Sequence, residues 1–262
     1  MNRGDVHERE WRPDGWDAEA RIGLLTPAAD VGPEAEFNAM CPRSATVHAS
    51  RVSFAAMRQG GAMDPTIALE AVRAFADPPG VDAAVQLLAL APVQVIGFGF
   101  TSSAYVIGRE GEREMCGRLS DRAGGLPVVA SGAAMVDAAQ SLGVQRAFIV
   151  SPPWFDAHLT ELGAQYFASA GLDVIAAASA ALPSGQRSID PRSLHEWVIA
   201  NTPRDADVVI IGGNGFRAVG VIEALEIDLD RPVVTANQAL LWACLTKIGF
   251  STPVVGYGRL FG

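Results

Sequence analysis

The stretch LPVVASGAAMVDAAQSLG, at residues 126–143, recurs later in the chain as RPVVTANQALLWACLTKIG, at residues 231–249. Each copy runs from Pro-Val-Val through a small polar loop into a helical pattern that ends at a glycine. A second matching pair precedes them, VIGFGFTSSAYVIG at 95–108 and VIIGGNGFRAVGVI at 209–222. A period of roughly 105–110 residues is too long for a solenoid, so the repeat predicts two similar lobes. The alternative is a chance recurrence of Pro-Val-Val in a chain rich in alanine and valine.

Short apolar runs alternate with amphipathic stretches along the chain. The runs are mostly continuous, which is typical of strands buried on both faces. Strand–helix–strand order indicates parallel sheets with right-handed crossovers. The predicted strands are 21–26, 45–52, 93–98, 127–131, 146–151, 172–178, 207–212, 232–236 and 253–258, and helical patterns cover 66–76, 135–143, 156–171 and 216–226. The sequence therefore predicts an α/β protein with parallel sheets in a doubly wound arrangement.

Composition excludes several classes of function. Acidic residues outnumber basic ones by 29 to 20, a net charge of −9, which disfavours nucleic acid and anionic membranes as partners. Lys247 is the single lysine and Ile248 follows it, so the chain has no Gly-Lys-Ser/Thr phosphate loop. The cysteines and histidines lack zinc-ligand spacing. Gly97-x-Gly99 is a partial dinucleotide fingerprint, because Ser102 stands where the third glycine belongs.

The N-terminal segment 1–20 carries charge where a signal peptide needs an apolar core. No apolar run approaches the ~18 residues of a membrane-spanning helix. The three cysteines, an odd number, fit a reducing compartment. We therefore expect a cytoplasmic protein in which residues 1–20 form a leader of undefined role.

Glycine-rich loops are the candidates for ligand binding, because ligands of open α/β sheets bind beyond the carboxyl ends of the strands. The candidate contacts are Thr101, Ser102 and Ser103 in the first loop, Gly213, Asn214 and Gly215 in the second, and Asn237 in a further loop. Hydroxyls, amides and the N–H groups of a helix N-terminus can hold a carboxylate or an oxyanion without a formal positive charge. The alternative for Thr101, Ser102 and Asn237 is that they only cap helices.

Several extended motifs, in order along about residues 20–262, carry a family resemblance. They are RIGLLTPAADVGPEAEF (21–37), FTSSAYVIG (100–108), the PVV–helix–LGV run (127–144), SIDPRSL (188–194), PVVTANQALLWACL (232–245) and GYGRLF (256–261). On these motifs the chain resembles the aspartate/glutamate racemase superfamily, in the branch of maleate cis–trans isomerase, arylmalonate decarboxylase and the ectoine-utilisation proteins.

The resemblance implies two flavodoxin-like lobes related by pseudo-twofold symmetry, with the active site in the cleft between them. It also implies that the C-terminal end completes the first lobe. We therefore expect a first lobe of residues 21–130 plus 240–262 and a second lobe of residues 131–239. Members of this family need no metal and no organic cofactor, so none is expected here.

The chain departs from the family at the centre of the site. In the family, cysteines in the two loops transfer protons or add to the substrate. Here Phe100 and Gly213 stand at those two positions, and the chain's own cysteines align with neither. A tyrosine expected after the fifth strand is replaced by the neighbourhood of Trp154, which we expect to form a pocket wall. Thiol chemistry in the usual manner of the family is therefore not expected.

Asp30 is the one nearby ionisable candidate for proton transfer. A carboxyl group that faces an apolar wall, such as Phe100 and Trp154, can have a raised pKa and act as a general acid or base. One alternative is that Asp30 caps the segment before Gly32 and Pro33. Another is that it binds ligand without transferring a proton.

Two hypotheses of function follow. The first is a cofactor-independent isomerase or decarboxylase that acts on a small carboxylate or dicarboxylate through an enediolate-like intermediate. The second is a catalytically silent protein on the same fold that binds a small carboxylate or acts in regulation, and the missing cysteines motivate it. The sequence is compatible with a homo-oligomer and defines no substrate.

Overall fold

Two four-stranded parallel sheets form the frame of residues 14–64 and 66–262, the part of the chain that the computed structural model describes. The strands are Ala20–Pro27 (β1), Ala45–Val52 (β2), Val95–Phe98 (β3), Val128–Ala130 (β4), Arg146–Ser151 (β5), Asp173–Ser179 (β6), Val208–Ile211 (β7) and Val233–Thr235 (β8). Residues 1–13 of the expected leader lie outside the described residues.

Helices connect and cover the strands. They are Gly32–Met40 (α1), Leu69–Ala76 (α2), Gly80–Leu88 (α3), Thr101–Arg122 (α4), Ser131–Ser141 (α5), Ala157–Ser169 (α6), Pro191–Asn201 (α7), Ile222–Leu229 (α8) and Ala236–Lys247 (α9). Left-handed Gly108, with a φ of 71°, interrupts α4 after its first seven residues. Among the described helices, none is both long and apolar enough to cross a membrane.

The two sheets have the same strand order, β2-β1-β3-β4 in the first and β6-β5-β7-β8 in the second. All of the ladder pairs are parallel. The central strands β3 and β7 are buried along their whole length, which explains their continuous apolar sequences. The structure therefore confirms the predicted α/β class and the pair of similar lobes.

The last helix, α9, crosses to the first sheet. A Cβ at Gly97 of β3 would lie 3.3 Å from both the Cys244 Sγ and the Leu240 Cδ2 of α9, so the small residue permits close packing of helix on strand. This contact supports the assignment of residues 240–262 to the first lobe, which we retain as a proposal together with the boundary at residue 130.

Two segments differ from the prediction. Residues 253–258, which are all described, form no strand, because Gly256 and Gly258 adopt φ values of 86° and 82° that a strand does not allow. The Tyr257 carbonyl instead accepts a hydrogen bond from the Gln238 side chain at 2.7 Å. The predicted helix over 216–226 begins as the short 3-10 turn Val219–Val221 and becomes α-helical only at α8.

Candidate functional site

A small cavity lies between the lobes at the carboxyl ends of the strands. It is lined by Pro27, Asp30, Phe54, Met57, Met63, Ile67, Phe100, Thr101, Ser102, Trp154, Phe155, Gly213, Asn214 and Gly215. The lining therefore brings together most of the residues singled out in the sequence, from both glycine-rich loops. Two predicted contacts, Ser103 and Asn237, are buried but lie outside this lining among the described residues.

The cavity is small, with a volume of only about 30 Å³. That space accommodates about one or two water molecules, whereas pockets for organic ligands usually measure ~300 Å³ or more. Side chains of the segment between β2 and α2 contribute Phe54, Met57, Met63 and Ile67 to the lining. A ligand of several heavy atoms can therefore enter only if part of this wall moves.

Phe100, the residue expected at the first family cysteine position, packs within an aromatic cluster. Its ring centroid lies 4.0 Å from that of Phe75 and 4.8 Å from that of Phe54. Trp154 is buried on the same cavity and packs edge-on against Phe216 at 5.9 Å. The apolar wall expected around Phe100 and Trp154 is thus present in the lining.

Gly213, the residue expected at the second family cysteine position, has no room for a side chain. Its φ is 90°, a conformation that residues with a Cβ rarely adopt. A Cβ built there would lie 2.6 Å from the Pro152 Cγ, well inside van der Waals contact. The local backbone is therefore built for glycine.

Within the described residues, no cysteine lines this cavity. Burial raises the pKa of Cys41 to about 11 and that of Cys116 to about 12. It also raises the pKa of Cys244, which is enclosed between α9 and the first sheet. Reactive thiolates need a lowered pKa, so none of the three thiols is suited to act as a base or nucleophile.

Asp30 is the ionisable group of the cavity. It is buried, and its Oδ1 accepts a hydrogen bond of 2.9 Å from the Gly32 N–H at the start of α1. Burial raises the pKa of Asp30 to about 6, and this rise is partly offset by the Gly32 N–H, the Gln186 amide and the Arg51 guanidinium. The carboxyl group therefore changes charge close to neutral pH and can give or take a proton there. The predicted capping contact to Gly32 coexists with this property.

Asn214 joins the two loops through its side chain. Its Oδ1 accepts hydrogen bonds from the Thr101 N–H at 2.8 Å and the Thr101 hydroxyl at 2.6 Å. Its Nδ2 donates to the Ser131 hydroxyl at 2.9 Å and to the Asn237 Oδ1 at 2.8 Å. Two accepted and two donated bonds use the full capacity of an amide side chain. Asn214 thus acts as a buried cross-link between the lobes.

Thr101 and Asn237 are not helix caps. The residue that precedes α4 is Phe100, which offers no side-chain cap. Helix α9 is capped by Thr235, which forms a capping box with Gln238. Asn237 instead uses its side chain to contact Asn214. The capping alternative is therefore wrong for both residues.

Ser102 and Ser103 occupy the first turn of α4, where backbone N–H groups have no partner within the helix. Ser102 is buried and lines the cavity. The Ser103 hydroxyl donates to the Phe100 carbonyl at 2.8 Å. Among the described residues, none forms a hydrogen bond with the Ser102 hydroxyl, in contrast to the hydroxyls of Thr101 and Ser103.

Sequence reasoning missed Glu36, Ser131 and Gln186. Glu36 is buried on α1 and its carboxylate accepts a hydrogen bond of 2.6 Å from the Asn237 Nδ2. A signal was available, because Glu36 shares the buried face of α1 with Phe37 and Met40. A carboxylate in an apolar stripe indicates a specific partner.

Larger cavities lie elsewhere in the described structure. One, of about 730 Å³, is lined by Glu112, Tyr166, Trp242 and others and contains none of the predicted site residues. Another, of about 570 Å³, shares Asn214 and Gly215 with the small cavity and also reaches Glu36. In the described parts, 14–64 and 66–262, no cluster of three or more His, Cys, Asp or Glu is arranged to hold a metal ion.

The paired sheets, with a small cavity where their strand ends meet, define a two-lobed α/β protein whose candidate site lies between the lobes. A model of the arylmalonate decarboxylase family matches residues 22–261, and the chain belongs to that family. The predicted superfamily branch is therefore confirmed.

Similar proteins come from two of the groups named in the expected branch, the maleate isomerases and arylmalonate decarboxylase. A maleate isomerase of Geobacillus stearothermophilus is 23% identical over 152 residues, which span 57% of this chain and 60% of that protein. The maleate isomerase of Pseudomonas putida S16 with maleate has a TM-score of 0.80 at 24% identity, over 92% of this chain and 97% of that one.

Two further solved structures have the same fold. Unliganded arylmalonate decarboxylase has a TM-score of 0.76 at 20% identity, over 92% of this chain and 98% of that one. A cysteine-to-serine mutant of the Nocardia farcinica maleate cis–trans isomerase, with a covalently bound succinylcysteine intermediate, has a TM-score of 0.79 at 20% identity, over 92% and 98%. At these identities the similarity shows the fold.

Proposed function

We propose that this protein is a cofactor-independent isomerase or decarboxylase that acts on a small carboxylate or dicarboxylate through an enediolate-like intermediate. Asp30 replaces the family thiols as the group that transfers the proton. The observation that carries the proposal is the buried Asp30 carboxyl group in the cavity between the lobes, with a pKa raised to about 6.

The reaction follows from what the cavity offers. In isomerisation, ionised Asp30 takes a proton from the carbon next to the substrate carboxylate, and the electron pair moves into that carboxylate to form an enediolate. The planar enediolate then turns in the cavity, and the protonated carboxyl group returns the proton to the opposite face of that carbon, which inverts its configuration. In decarboxylation, the bond to the leaving carboxylate breaks first, and protonated Asp30 donates its proton to the resulting carbanion. Both routes need a group that is partly protonated near neutral pH.

The developing negative charge needs donors. The Ser102 hydroxyl and the N–H groups of Ser102 and Ser103, in the first turn of α4, are the donors we assign to it. Thr101, Asn214 and Asn237 then hold the wall in place, because their donors are engaged with one another and with the protein. Gly213 and Gly215 let the second loop approach the substrate closely.

The test is proton NMR in D₂O with a panel of small carboxylates that includes maleate, methylmalonate and arylmalonates. We expect deuterium incorporation, isomerisation or loss of CO₂ with at least one of them. Asp30→Asn should lower the rate at least ~100-fold, the usual contribution of a general acid or base. The matched control is Asp190→Asn, because Asp190 caps α7 at the surface and asparagine caps equally well.

The pH dependence of the rate sharpens the test. For the wild type, the plot of rate against pH should have a limb with a midpoint near pH 6, since the pKa of Asp30 is raised to about 6. A rate that rises with pH identifies Asp30 as the base, and one that falls with pH identifies it as the acid. The limb should be missing from the residual activity of Asp30→Asn. An unchanged profile in that variant contradicts the assignment.

A second candidate is a catalytically silent protein that binds a small carboxylate or acts in regulation. The observation in its favour is the backbone at Gly213, which is built for glycine at a family cysteine position. The same NMR experiment tests this candidate. Broadened ligand resonances or saturation transfer, with no chemical change in any ligand, would favour the silent protein over the enzyme.

A further inference from the structure

Glu36 is the buried end of a chain of hydrogen bonds that leads to the cavity. Its Oε1 accepts from the Ala218 N–H at 2.8 Å and the Val219 N–H at 3.1 Å. Its Oε2 accepts from the Asn237 Nδ2 at 2.6 Å. Both carboxylate oxygens therefore accept hydrogen bonds from N–H donors. Glu36 on α1 is bound in this way to the loop that follows β7 and to α9.

This arrangement fixes the orientation of two amides in succession. Since Glu36 faces Asn237 with an acceptor, Asn237 must present its amino group and turn its Oδ1 to Asn214. Asn214 must then meet that oxygen with its own amino group, which turns its Oδ1 to Thr101. The Asn237 Nδ2 also donates to the Asn214 carbonyl at 2.8 Å, which excludes the flipped amide.

The opposite end of the chain requires the same orientation. The Thr101 backbone N–H can only donate, so Asn214 must face it with an oxygen. That oxygen also takes the proton of the Thr101 hydroxyl. On its remaining side, the Thr101 hydroxyl can then offer the cavity only lone pairs. Reversal of the amides would instead leave donor facing donor at Thr101 and acceptor facing acceptor at Glu36.

We propose that Glu36 is a positioning residue for the site, whose ionised carboxylate orients the Asn237 and Asn214 amides and so makes the Thr101 hydroxyl an acceptor toward the ligand. Because the cavity is taken as the functional site, the importance of this orientation for catalysis rests on the proposed function. The orientation itself does not, and it can be measured without a substrate.

Charged groups around Glu36 set the conditions of the test. Burial raises the pKa of Glu36 to about 7, the Asn237, Val219 and Ala218 donors lower it, and Asp30 raises it further. Arg187 and Arg217 line the cavity of about 570 Å³ that Glu36 also reaches. On the outer face of α1, Glu34 is paired with Arg51 of β2. Protonation of Glu36 near neutral pH should therefore disturb the whole chain of hydrogen bonds.

The experiment is an NMR titration of ¹⁵N-labelled protein between pH 5 and 9. The Asn237 and Asn214 side-chain amides and the Thr101 backbone amide should shift together, with one midpoint. This transition should be lost in Glu36→Gln and retained in Asp30→Asn. Persistence of the Thr101 shift in Glu36→Gln would overturn the inference.

Glu112→Gln is the matched control for stability. Glu112 is also a buried carboxylate, but it accepts from the Gly132 N–H and from the Tyr166 hydroxyl, which can rotate to accept from an amide. Glu36→Gln instead forces donor against donor and should lower the Tm by roughly 6 °C or more. Glu112→Gln should lower it less and keep the Thr101 transition. Equal losses in the two variants would contradict a directional role for Glu36.

If Glu36→Gln does not fold, Asn237→Ser answers the same question. It breaks the chain of hydrogen bonds but keeps the contacts of Glu36 with Ala218 and Val219. Thr101 should then cease to follow the titration, whereas an unchanged Thr101 transition would overturn the inference. In the D₂O assay, a perturbed orientation should lower kcat roughly 10-fold or more. Coupled resonances with no turnover of any substrate would leave the orientation established and refute the proposed enzyme instead.

Discussion

The loops after β3 and β7 occupy equivalent places in the two lobes but carry side chains of opposite size. In the first lobe, Phe100 follows the strand and places an aromatic ring among Phe54 and Phe75. In the second, Gly213 follows the strand and has no room for even a Cβ beside Pro152. The next residue of each loop is polar, and these two residues, Thr101 and Asn214, are hydrogen-bonded to each other.

This difference shows how a symmetrical backbone can hold an asymmetrical site. The two positions at which the resemblance leads us to expect cysteine differ from each other, because an aromatic ring fills the first at Phe100 and the backbone at Gly213 excludes a side chain from the second. Only one lobe contributes an ionisable group to the lining, Asp30 after β1. The chemistry of the cavity is therefore one-sided, in contrast to a pair of opposed thiols.

The largest expected effect concerns the second loop. Gly213→Ala should lower the free energy of unfolding by about 3–5 kcal/mol, since it combines a φ of 90° with a contact of 2.6 Å to Pro152. Urea unfolding measures this. Gly220→Ala is the control, because a Cβ there meets nothing within 4 Å, and it should change stability by less than ~0.5 kcal/mol. Similar values for the two variants would show that the loop is not built for glycine.

The next effect concerns the bond between the loops. Asn214→Ala should cost about 2–4 kcal/mol, because it leaves the Thr101 N–H and the Asn237 Oδ1 buried without partners. Thr101→Val should cost about 1–2 kcal/mol, because its N–H remains bonded. In a double-mutant cycle, the two should couple by about 1 kcal/mol. Strictly additive losses would mean that the loops are stabilised independently.

A third effect is a pH dependence of stability. The folded-state pKa values of Asp30, Glu36 and Glu112 are raised to about 6, 7 and 7, above unfolded values of about 3.9 for Asp and 4.3 for Glu. Between the unfolded and the folded pKa values, the folded state binds more protons than the unfolded state. The free energy of unfolding should therefore fall as the pH rises from about 4 to 7 and level off above pH 7.

Glu112→Gln tests this pH dependence in a single group. As the pH rises from 5 to 8, the difference in the free energy of unfolding between variant and wild type should shift by about 1–3 kcal/mol in favour of the variant, because only the wild type must form a buried charge. Urea midpoints at several pH values measure the difference. A constant offset between the two proteins would contradict the raised pKa of Glu112.

Much of the fold could be predicted from the sequence. Continuous apolar strands and the repeated Pro-Val-Val units indicate parallel sheets in two lobes, since both patterns report burial directly. The segment 253–258 was mistaken for a strand because apolar composition does not reveal that Gly256 and Gly258 adopt positive φ angles. Only the backbone geometry distinguishes such a segment from an edge strand.

The site was predicted less completely, for a physical reason. Glycine-rich loops and Asp30 could be placed from local motifs. The carboxylate partner of Asn237 could not, because Glu36 lies 201 residues from Asn237 in the chain and meets it only in the fold. The Thr101 hydroxyl has no evident partner within its own loop sequence, yet it donates a hydrogen bond to Asn214 once the fold brings the two loops together.

The most direct test of the central claim compares the wild type, Asp30→Asn and Asp190→Asn by proton NMR in D₂O with the carboxylate panel. Proton transfer by Asp30 predicts deuterium incorporation or product formation with the wild type and Asp190→Asn, and a rate at least ~100-fold lower with Asp30→Asn. Equal rates for all three proteins would contradict the account. So would binding without chemical change in any of them, which would identify a silent carboxylate-binding protein.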